Sequence, residues 1–273
     1  VIFNKELLKE ARKKLISKKL ILLGVKIPLS DIDVNKKIYI KDKYYKFKNI
    51  IFSIGKKNQE DSVIKKLSFA LEHTAHVGFF KHTNHHRQTA YEIFTPKGPL
   101  AVLPAPDNYK KKSTFIYTSK HFTTDLEIKS MINKNFKTSH GDIYLQKKIN
   151  QFKVMPHLSK VVLNKYFLLG DSLRSIHPVA GQGWNLGIKD IQHLCNVLDK
   201  YGIDDPKLSD IYYSQRNIEN FSYLSFTSSL NFLYENKYPL SNFIIRMGFN
   251  VLKNVNFLRN TFIKQAMGRS LLI

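Results

Sequence analysis

The fold is decided by residues 166–187, which read YFLLGDSLRSIHPVAGQGWNLG. An apolar strand over Lys165–Leu169 ends at Gly170 and Asp171, and a loop then leads into a long helix. In α/β proteins, ligands collect at the carboxyl ends of the strands. Asp171 is therefore placed to accept hydrogen bonds from the hydroxyl groups of a sugar or a ribityl chain.

The loop and the start of the helix bring backbone groups to the same place. Gly181 and Gly183 carry no side chains, so the backbone can come close to a ligand. A helix that begins near Gln182 points free N–H groups and the positive end of its dipole into the site. The stretch suits a hydroxylated chain beside a group that becomes anionic, as the ring of a reduced flavin does. The alternative is a purely structural glycine-rich turn with Asp171 as a cap.

An apolar stripe runs along the rest of this helix. Its members are spaced 4, 3, 4 and 3 residues apart, and they are Trp184, Ile188, Ile191, Cys195 and Leu198. This spacing predicts that the stripe faces the core. Cys195 is then expected to be inert, and Trp184 to fill the core or to lie at the edge of a bound flavin.

The order of the other predicted elements indicates an α/β protein with an inserted antiparallel β-sheet domain and C-terminal helices. The predicted domains are residues 1–66, 67–160 and 161–273. The predicted elements are a helix over 4–18; strands over 21–25, 37–40 and 45–54, with a turn at 41–43; sheet strands over 67–79, 89–95, 100–103 and 113–118; a helix over 122–133; a strand region over 142–154; and helices over 206–232, 239–251 and 254–267.

Composition excludes several classes of protein. Hydrophobic residues make up 43% of the 273 residues, enough to bury a core, so the chain is neither disordered nor of low complexity. The single Cys195 excludes a disulfide scaffold and a cysteine-rich zinc module. Apolar runs stay below the length of about 18 residues that indicates a membrane-spanning helix.

The net charge is +23, from 44 Lys and Arg against 21 Asp and Glu. The lysines are scattered and no nucleic-acid-binding motif is present, so nucleic acid is not an expected partner. A diffuse positive potential instead favours the anionic headgroups of a membrane surface.

The stretch that decides the fold also resembles a family. From Gly170 to Asp190 it is similar to the second FAD motif of flavin-dependent aromatic hydroxylases, and most similar to the ubiquinone-biosynthesis hydroxylases. In these proteins a glycine–aspartate pair is followed by His-Pro, Ala-Gly-Gln-Gly, Asn-Leu-Gly and an acidic helix residue. Here those positions are Gly170-Asp171, His177-Pro178, Ala180-Gly181-Gln182-Gly183, Asn185-Leu186-Gly187 and Asp190.

A second block supports the resemblance. Residues 90–104, AYEIFTPKGPLAVLP, look like the substrate-domain strands that cover the flavin in this family. The resemblance implies substrate contacts at Gly98, Pro99, Leu103 and Pro104. The ending at residues 266–268 is also similar, so the resemblance covers essentially the whole chain.

The resemblance implies a cofactor, a reaction and a place in the cell. In the family, NAD(P)H or another donor reduces FAD, which adds O2 as a C4a-hydroperoxide and transfers one oxygen atom to a polyprenyl phenol. The implied location is cytoplasmic and peripheral at the inner membrane, on an anionic surface or in a ubiquinone-biosynthesis complex. No side chain is required as a nucleophile, and His177 and Pro178 are expected near the flavin. The residues implied to bind FAD are Gly170, Asp171, Pro178, Gly181, Gln182, Gly183, Trp184, Asn185 and Leu186.

Three features depart from the family pattern. The chain has no Gly-x-Gly-x-x-Gly turn for the pyrophosphate, which predicts that about a hundred residues of a first βαβ unit precede Val1. Ile54 stands where the middle motif has an aspartate, and Arg174 where the family has His or Gln. The chain alone is therefore expected to bind FAD weakly. The competing hypothesis is a truncated non-catalytic remnant, a basic protein that binds a membrane or a partner.

Two further groups of residues have competing interpretations. His82, His85 and His86 have helical metal-ligand spacing, but they lie between strands without a nearby carboxylate or cysteine, so a polar loop is expected and a metal is not. An apolar stripe near the end is expected mainly to pack between helices. Because Arg246 and Lys253 flank it, part of it could lie on a membrane surface. Its members are Phe232, Tyr238, Phe243, Ile244, Met247, Val251 and Leu252.

Overall fold

The computed structural model describes residues 4–19, 27, 32, 37–40, 42–55, 64–68, 73–106, 109–145, 149–161, 166–178, 181–235 and 239–266. The chain forms two compact units, which are considered separately. The sheet unit comprises residues 1–26 and 72–154, and the motif unit comprises residues 27–71 and 155–273. The three-part division made from the sequence stays a prediction.

The elements confirm a mixed α/β fold with antiparallel sheets and C-terminal helices. The helices are α1 (Asn4–Ser17), α2 (Asp125–His140), α3 (Gly183–Tyr201), α4 (Leu208–Glu235), α5 (Pro239–Asn254) and α6 (Asn256–Ala266). The strands are β1 (Lys37–Ile40), β2 (Lys43–Lys46), β3 (Ile50–Phe52), β4 (Ile64–Ser68), β5 (His73–His82), β6 (Tyr91–Thr95), β7 (Gly98–Pro104), β8 (Lys112–Ser119), β9 (Ile143–Leu145), β10 (Asn150–Val154), β11 (His157–Val161), β12 (Tyr166–Leu168) and β13 (Arg174–Ser175).

The sheet unit is built on an antiparallel sheet in the order β10-β5-β8-β7-β6, with β9 also paired to β5. Alternating residues of the strands point to one face, and α2 packs there through Ile128, Ile132 and Phe136. The helix begins at a capping box, in which Thr124 and Glu127 satisfy each other's backbone N–H groups. The predicted strand over 67–79 is wrong in one respect, because β4 and β5 are separate strands.

The motif unit contains three small sheets and the last four helices. The hairpin β1–β2 is confirmed, and β3 follows it as a separate strand. β11 pairs antiparallel with β4 and β13, and β3 pairs in parallel with β12. α4, α5 and α6 begin within two residues of their predicted starts. The predicted strand over 21–25 lies outside the described residues.

The predicted core-facing stripe of α3 is confirmed at Leu198, which packs against the core, and is wrong at its other four positions. Trp184, Ile188 and Ile191 are 63%, 47% and 49% exposed, and Cys195 is exposed as well. The buried side instead carries Leu186, Asp190, Leu194 and Val197. Both stripes have helical spacing, and the side that packs is the one that meets α4 and β12. Cys195 and Trp184 are therefore not core residues within the motif unit.

The apolar stripe near the end is also more exposed than predicted. Phe232, Phe243 and Met247 are 61%, 59% and 52% exposed, whereas Tyr238 lies outside the described residues. Among the described helices, none is both long and apolar enough to cross a membrane. The exposed residues of α5 and α6 therefore form a surface of the motif unit.

Candidate functional site

Two parallel strands end side by side in the motif unit, with Phe52 of β3 opposite Leu168 of β12. Beyond the strands, the backbone N–H of Leu169 donates to the carbonyl oxygen of Phe52 at 3.0 Å. The backbone N–H of Gly55 donates to Oγ of Ser172 at 2.9 Å. These bonds tie together the two loops at the carboxyl edge of the strand pair, which is where ligands gather in α/β sheets.

Asp171 lies at this edge, in a single 3-10 turn over Gly170–Ser172. Its carboxylate is exposed, while Ser172 and Leu173 after it are buried. Nε2 of the buried His157 lies 3.1 Å from the backbone oxygen of Asp171. The backbone of the turn is thus held in place and the carboxylate remains available as a hydrogen-bond acceptor.

Two glycines allow the turn to lie against α3. Gly170 has a φ of 57°, a left-handed conformation that residues with a Cβ atom rarely adopt. A Cβ built on Gly187 would lie 3.7 Å from the Cα of Gly170, so the two backbones are in direct contact. The glycines of the motif therefore set the distance between the turn and the helix.

The buried carboxylate of Asp190 fixes the turn to two arginines. Its Oδ2 accepts from the backbone N–H of Gly170 at 2.9 Å and from Nη1 of Arg174 at 2.7 Å. Its Oδ1 accepts from Nε and Nη2 of Arg216 at 3.0 and 2.8 Å. The side chains of Arg174, Asp190 and Arg216 are 2%, 0% and 5% exposed. Because these charges are buried, each depends on its partners.

A second carboxylate extends the network between α3 and α4. Glu219 pairs with Arg216 and accepts from Nζ of Lys189 at 2.8 Å. Burial raises the pKa of Glu219, but the bond from Lys189 and the charge of Arg216 outweigh burial and lower it. We define the Asp190 network as Arg174, Lys189, Asp190, Arg216 and Glu219.

The start of α3 offers backbone donors beside the turn. The loop closes with a bond from the N–H of Gly181 to the carbonyl of Pro178 at 2.9 Å, and α3 then begins at Gly183. The side chain of Gln182, the N-cap residue, makes no capping hydrogen bond. A Cβ built on Gly181 or Gly183 would meet no described atom within 4 Å, so there is open space beside both.

The other predicted cofactor residues take different positions. His177 is buried, Pro178 and Asn185 are half-buried, and Trp184 is exposed. Asn185 donates from Nδ2 to Oε1 of Gln182 at 3.0 Å. The side chain of Leu186 packs in the core with Ile176, Tyr223 and Leu224, so only its backbone can meet a ligand. Their roles toward a cofactor stay predictions.

These residues fit a flavin with a hydroxylated chain. An exposed carboxylate at the strand edge can accept from ribityl hydroxyls, and the backbone N–H groups of a helix start can stabilise negative charge on the ring. Ile54, which is 48% exposed after β3, cannot accept a hydrogen bond. The acceptor predicted to be missing from the middle motif is not replaced at that position.

The predicted substrate residues lie on β7 of the sheet unit. Gly98, Pro99 and Pro104 are buried, and Leu103 is half-buried. Gly98 and Pro104 share the face of Leu100 and Val102, which enter the core beneath α2. Pro99 and Leu103 therefore belong to the opposite face of the sheet.

Sequence reasoning missed the Asp190 network. Asp190 and Arg174 were noticed only as a motif residue and a departure, and Arg216 was not singled out. The available signal was weak, namely an Arg216–Glu219 pair at i, i+3 and a charged residue inside an apolar helix side. Which arginines reach Asp190 is a tertiary property that spacing does not encode.

Comparisons with known proteins identify the fold and the family. The crystal structure of p-nitrophenol 4-monooxygenase PnpA from Pseudomonas putida shares the fold, with a TM-score of 0.59 at 15% identity over 77% of this chain and 57% of that one. The profile of the FAD binding domain family matches residues 61–218, more than half of the chain. The chain therefore belongs to the FAD binding domain family.

The chain is also similar in sequence to two curated proteins of ubiquinone biosynthesis. A ubiquinone hydroxylase of Rhodospirillum rubrum is 28% identical over 213 residues, 71% of this chain and 48% of the relative. The mitochondrial ubiquinone biosynthesis monooxygenase COQ6 of Drosophila melanogaster is 30% identical over 224 residues, 66% of this chain and 46% of the relative. The chain thus spans about half the length of the curated relatives it matches.

The histidines considered as metal ligands form part of a buried cluster in the sheet unit. His82, His86 and His140 are 3%, 3% and 1% exposed, and the rings of His82 and His140 lie 4.7 Å apart. The expected loop between strands is confirmed for His85 and His86 and is wrong for His82, which is the last residue of β5. His85 is exposed, whereas His86 is buried within the loop. Within the described part of the chain, no group of three or more His, Cys, Asp or Glu residues is arranged to hold a metal.

This cluster predicts that the sheet unit loses stability in acid. Burial, followed by the charges of His82 and His86, lowers the pKa of His140 from 6.5 to about 4, and burial also lowers the pKa of His82. The unfolded chain binds these protons at the ordinary pKa, so stability falls below about pH 6.5 and continues to fall until the folded pKa is reached. We expect the His140 contribution to be about 2 kcal/mol at pH 5, measured by urea unfolding.

The matched variants separate this cluster from general acid effects. His140→Phe should remove much of the loss between neutral and acid pH, because a phenyl ring can occupy the same aromatic surroundings without titrating. His85→Gln, at an exposed position, should leave the pH dependence unchanged. An equal pH dependence in wild type and His140→Phe would show that the cluster is not responsible.

Proposed function

We propose that the chain forms the flavin-ring and substrate-binding parts of an FAD-dependent monooxygenase that hydroxylates a polyprenyl phenol in ubiquinone biosynthesis. The observation that carries the proposal is the exposed carboxylate of Asp171 at the carboxyl edge of β3 and β12, in the turn that lies against α3. The relatives named for ubiquinone hydroxylation support the choice of substrate.

Each group at this edge has a separate task in the proposal. Asp171 accepts hydrogen bonds from ribityl hydroxyls, and the backbone N–H groups at Gln182 to Asn185 stabilise the anionic ring of the reduced cofactor. The N–H of Leu186 donates to the carbonyl of Gln182, so Leu186 contributes by packing the helix start. When bound and reduced by NAD(P)H, FAD supplies the electrons that activate O2 for transfer of one oxygen atom. His177 and Pro178 position the ring, and no side chain acts as a nucleophile.

The substrate task falls to the sheet unit. Pro99 and Leu103, which share one face of β7, contact the phenol through apolar side chains, and Gly98 and Pro104 at the two ends of the strand hold them in place. An apolar wall excludes water, which protects the reactive oxygen species from side reactions. We place the enzyme in the cytoplasm, peripheral at the inner membrane, on an anionic surface or in a ubiquinone-biosynthesis complex.

A non-catalytic remnant is the second candidate function. The exposed Ile54 favours it, because the position offers no acceptor for the cofactor. A remnant would keep the fold and lose oxygen transfer.

Oxygen incorporation distinguishes the two candidates. We would supply the chain with FAD, a chemical reductant, isotopically labelled O2 and a short-chain polyprenyl phenol, and detect the product by mass spectrometry. The enzyme hypothesis predicts one labelled oxygen atom in the ring, at a rate that Asp171→Ala lowers by about tenfold or more. The control Asp199→Ala changes an exposed carboxylate further along α3 and should keep the rate. Absence of label at saturating FAD would support the remnant.

A further inference from the structure

The outward side of α5 combines apolar and cationic residues. Ser241 is buried and Ile245 and Leu252 are half-buried, so these residues mark the inward side of the helix. Successive residues on a helix are rotated by about 100°, which places the outward side opposite to them. We define the terminal face as this outward side, which carries Phe243, Arg246, Met247, Asn250 and Lys253.

The terminal face carries large apolar side chains that are exposed to solvent. Phe243 and Met247 are 59% and 52% exposed, and Ile244 beside them is 44% exposed. Large apolar side chains grouped on one face indicate an interaction surface, whereas single exposed ones do not.

α6 also exposes large apolar side chains. The helices are joined at Val255, whose N–H donates to the carbonyl of Val251 at 2.8 Å. On α6, Phe257, Leu258 and Ile263 are 76%, 42% and 45% exposed. The apolar surface therefore extends over both helices.

The charge of this region has one sign. Residues 236–273 contain no Asp or Glu, although the chain has 21 of them. Arg246 and Lys253 lie on the terminal face, and Arg259 and Lys264 lie exposed on α6. An apolar face flanked by cations is typical of a helix that lies in the interface of an anionic bilayer.

We propose that α5 and α6 dock on an anionic lipid bilayer through the terminal face. A second copy of the chain fits less well, because a symmetric contact would bring Arg246 and Lys253 against their own copies. Nucleic acid would satisfy the cations but leave Phe243 and Met247 in water. A bilayer accommodates both kinds of residue, because the apolar side chains can insert among the acyl chains while the cations contact the headgroups.

The inference deepens the proposed function, because it assigns the membrane location proposed there to a particular surface, while the choice of a bilayer is argued from the residues of the terminal face. Vesicle binding requires neither flavin nor substrate, so the chain can bind vesicles and fail to transfer oxygen, or the reverse. The two failures are therefore distinguishable.

Co-sedimentation with vesicles tests the proposal on the whole chain. We expect binding to vesicles of phosphatidylcholine mixed with phosphatidylglycerol, and little binding to phosphatidylcholine alone. Arg246→Gln with Lys253→Gln should weaken binding about thirtyfold, from two lost headgroup interactions. Phe243→Ser with Met247→Ser should weaken it about tenfold or more, from lost apolar insertion.

Matched controls separate the face from the net charge. Lys43→Gln with Lys46→Gln removes two exposed lysines from the hairpin β1–β2 and should weaken binding less than about threefold. Ile218→Ser with Phe221→Ser removes two exposed apolar residues from α4 and should have a similarly small effect. Control losses equal to those of the terminal face would overturn the proposal, as would equal binding to both vesicle types. A dimer in sedimentation velocity that the Phe243 and Met247 variant abolishes would assign the face to a second copy instead.

Discussion

Replacing Asp190 with Asn is expected to destabilise the motif unit by about 3–5 kcal/mol. The carboxylate accepts four hydrogen bonds, from Gly170, Arg174 and Arg216, and is fully buried. The amide nearly matches its shape but carries no charge, so buried Arg174 loses the charge of its partner and buried Arg216 keeps only Glu219. Urea unfolding followed by far-UV circular dichroism measures the loss.

The control for this prediction lies on the same helix. Asp199→Asn changes an exposed aspartate of α3 and should alter stability by less than about 0.5 kcal/mol. Replacing Asp190, Arg174 and Arg216 together by apolar residues should recover stability, because no unpaired charge then remains. A loss below about 1 kcal/mol for Asp190→Asn would show that the network does not hold the turn.

Gly98→Ala is expected to destabilise the sheet unit by about 3 kcal/mol or more. Gly98 has a φ of 138°, and a Cβ there would lie 1.9 Å from the backbone oxygen of Thr118 on β8. That oxygen belongs to the paired backbone, so the clash cannot be relieved by rotating a side chain. The sequence assigned Gly98 to the substrate pocket, and the structure gives this glycine a structural requirement as well.

Two substitutions calibrate the Gly98 result. Gly248→Ala lies in α5 with no described atom near its Cβ, and should be neutral or stabilising by up to about 1 kcal/mol. Lys97→Ala removes the exposed pair with Glu127 next to Gly98, and should cost less than about 1 kcal/mol. A folded Gly98→Ala protein with the stability of wild type would contradict the close approach of β7 to β8 at this glycine.

The sequence predicted those parts of the fold that local signals determine. The Gly170-Asp171 turn after an apolar strand, the start of α3 near Gln182 and the antiparallel sheet all follow from turn chemistry and periodicity. Each of these signals depends on residues close together in the sequence, so it can be recognised without knowledge of the tertiary contacts.

The failures arose where two local signals competed. α3 has two apolar stripes, and the one with Trp184, Ile188 and Ile191 has spacing as regular as the buried side with Leu186 and Leu194. Which side of α3 is buried depends on the elements that pack against the helix, here α4 through Tyr212 and β12 through Phe167. The buried side was hard to recognise in the sequence because it contains a charged residue, Asp190. The two arginines that pair with Asp190 are distant from it in sequence.

Titration of the 273-residue chain with FAD, FMN and ADP tests the central claim most directly. The claim is that Asp171 and the start of α3 hold the ribityl chain and the ring, while the chain has no Gly-x-Gly-x-x-Gly turn for the pyrophosphate. Association alone costs about 4 kcal/mol or more, so binding should be weak. The account predicts that FAD and FMN bind with Kd values within about threefold, that ADP displaces neither, and that Asp171→Ala weakens both by about tenfold to a hundredfold. Tight FAD binding that ADP competes away and that Asp171→Ala leaves unchanged would contradict it.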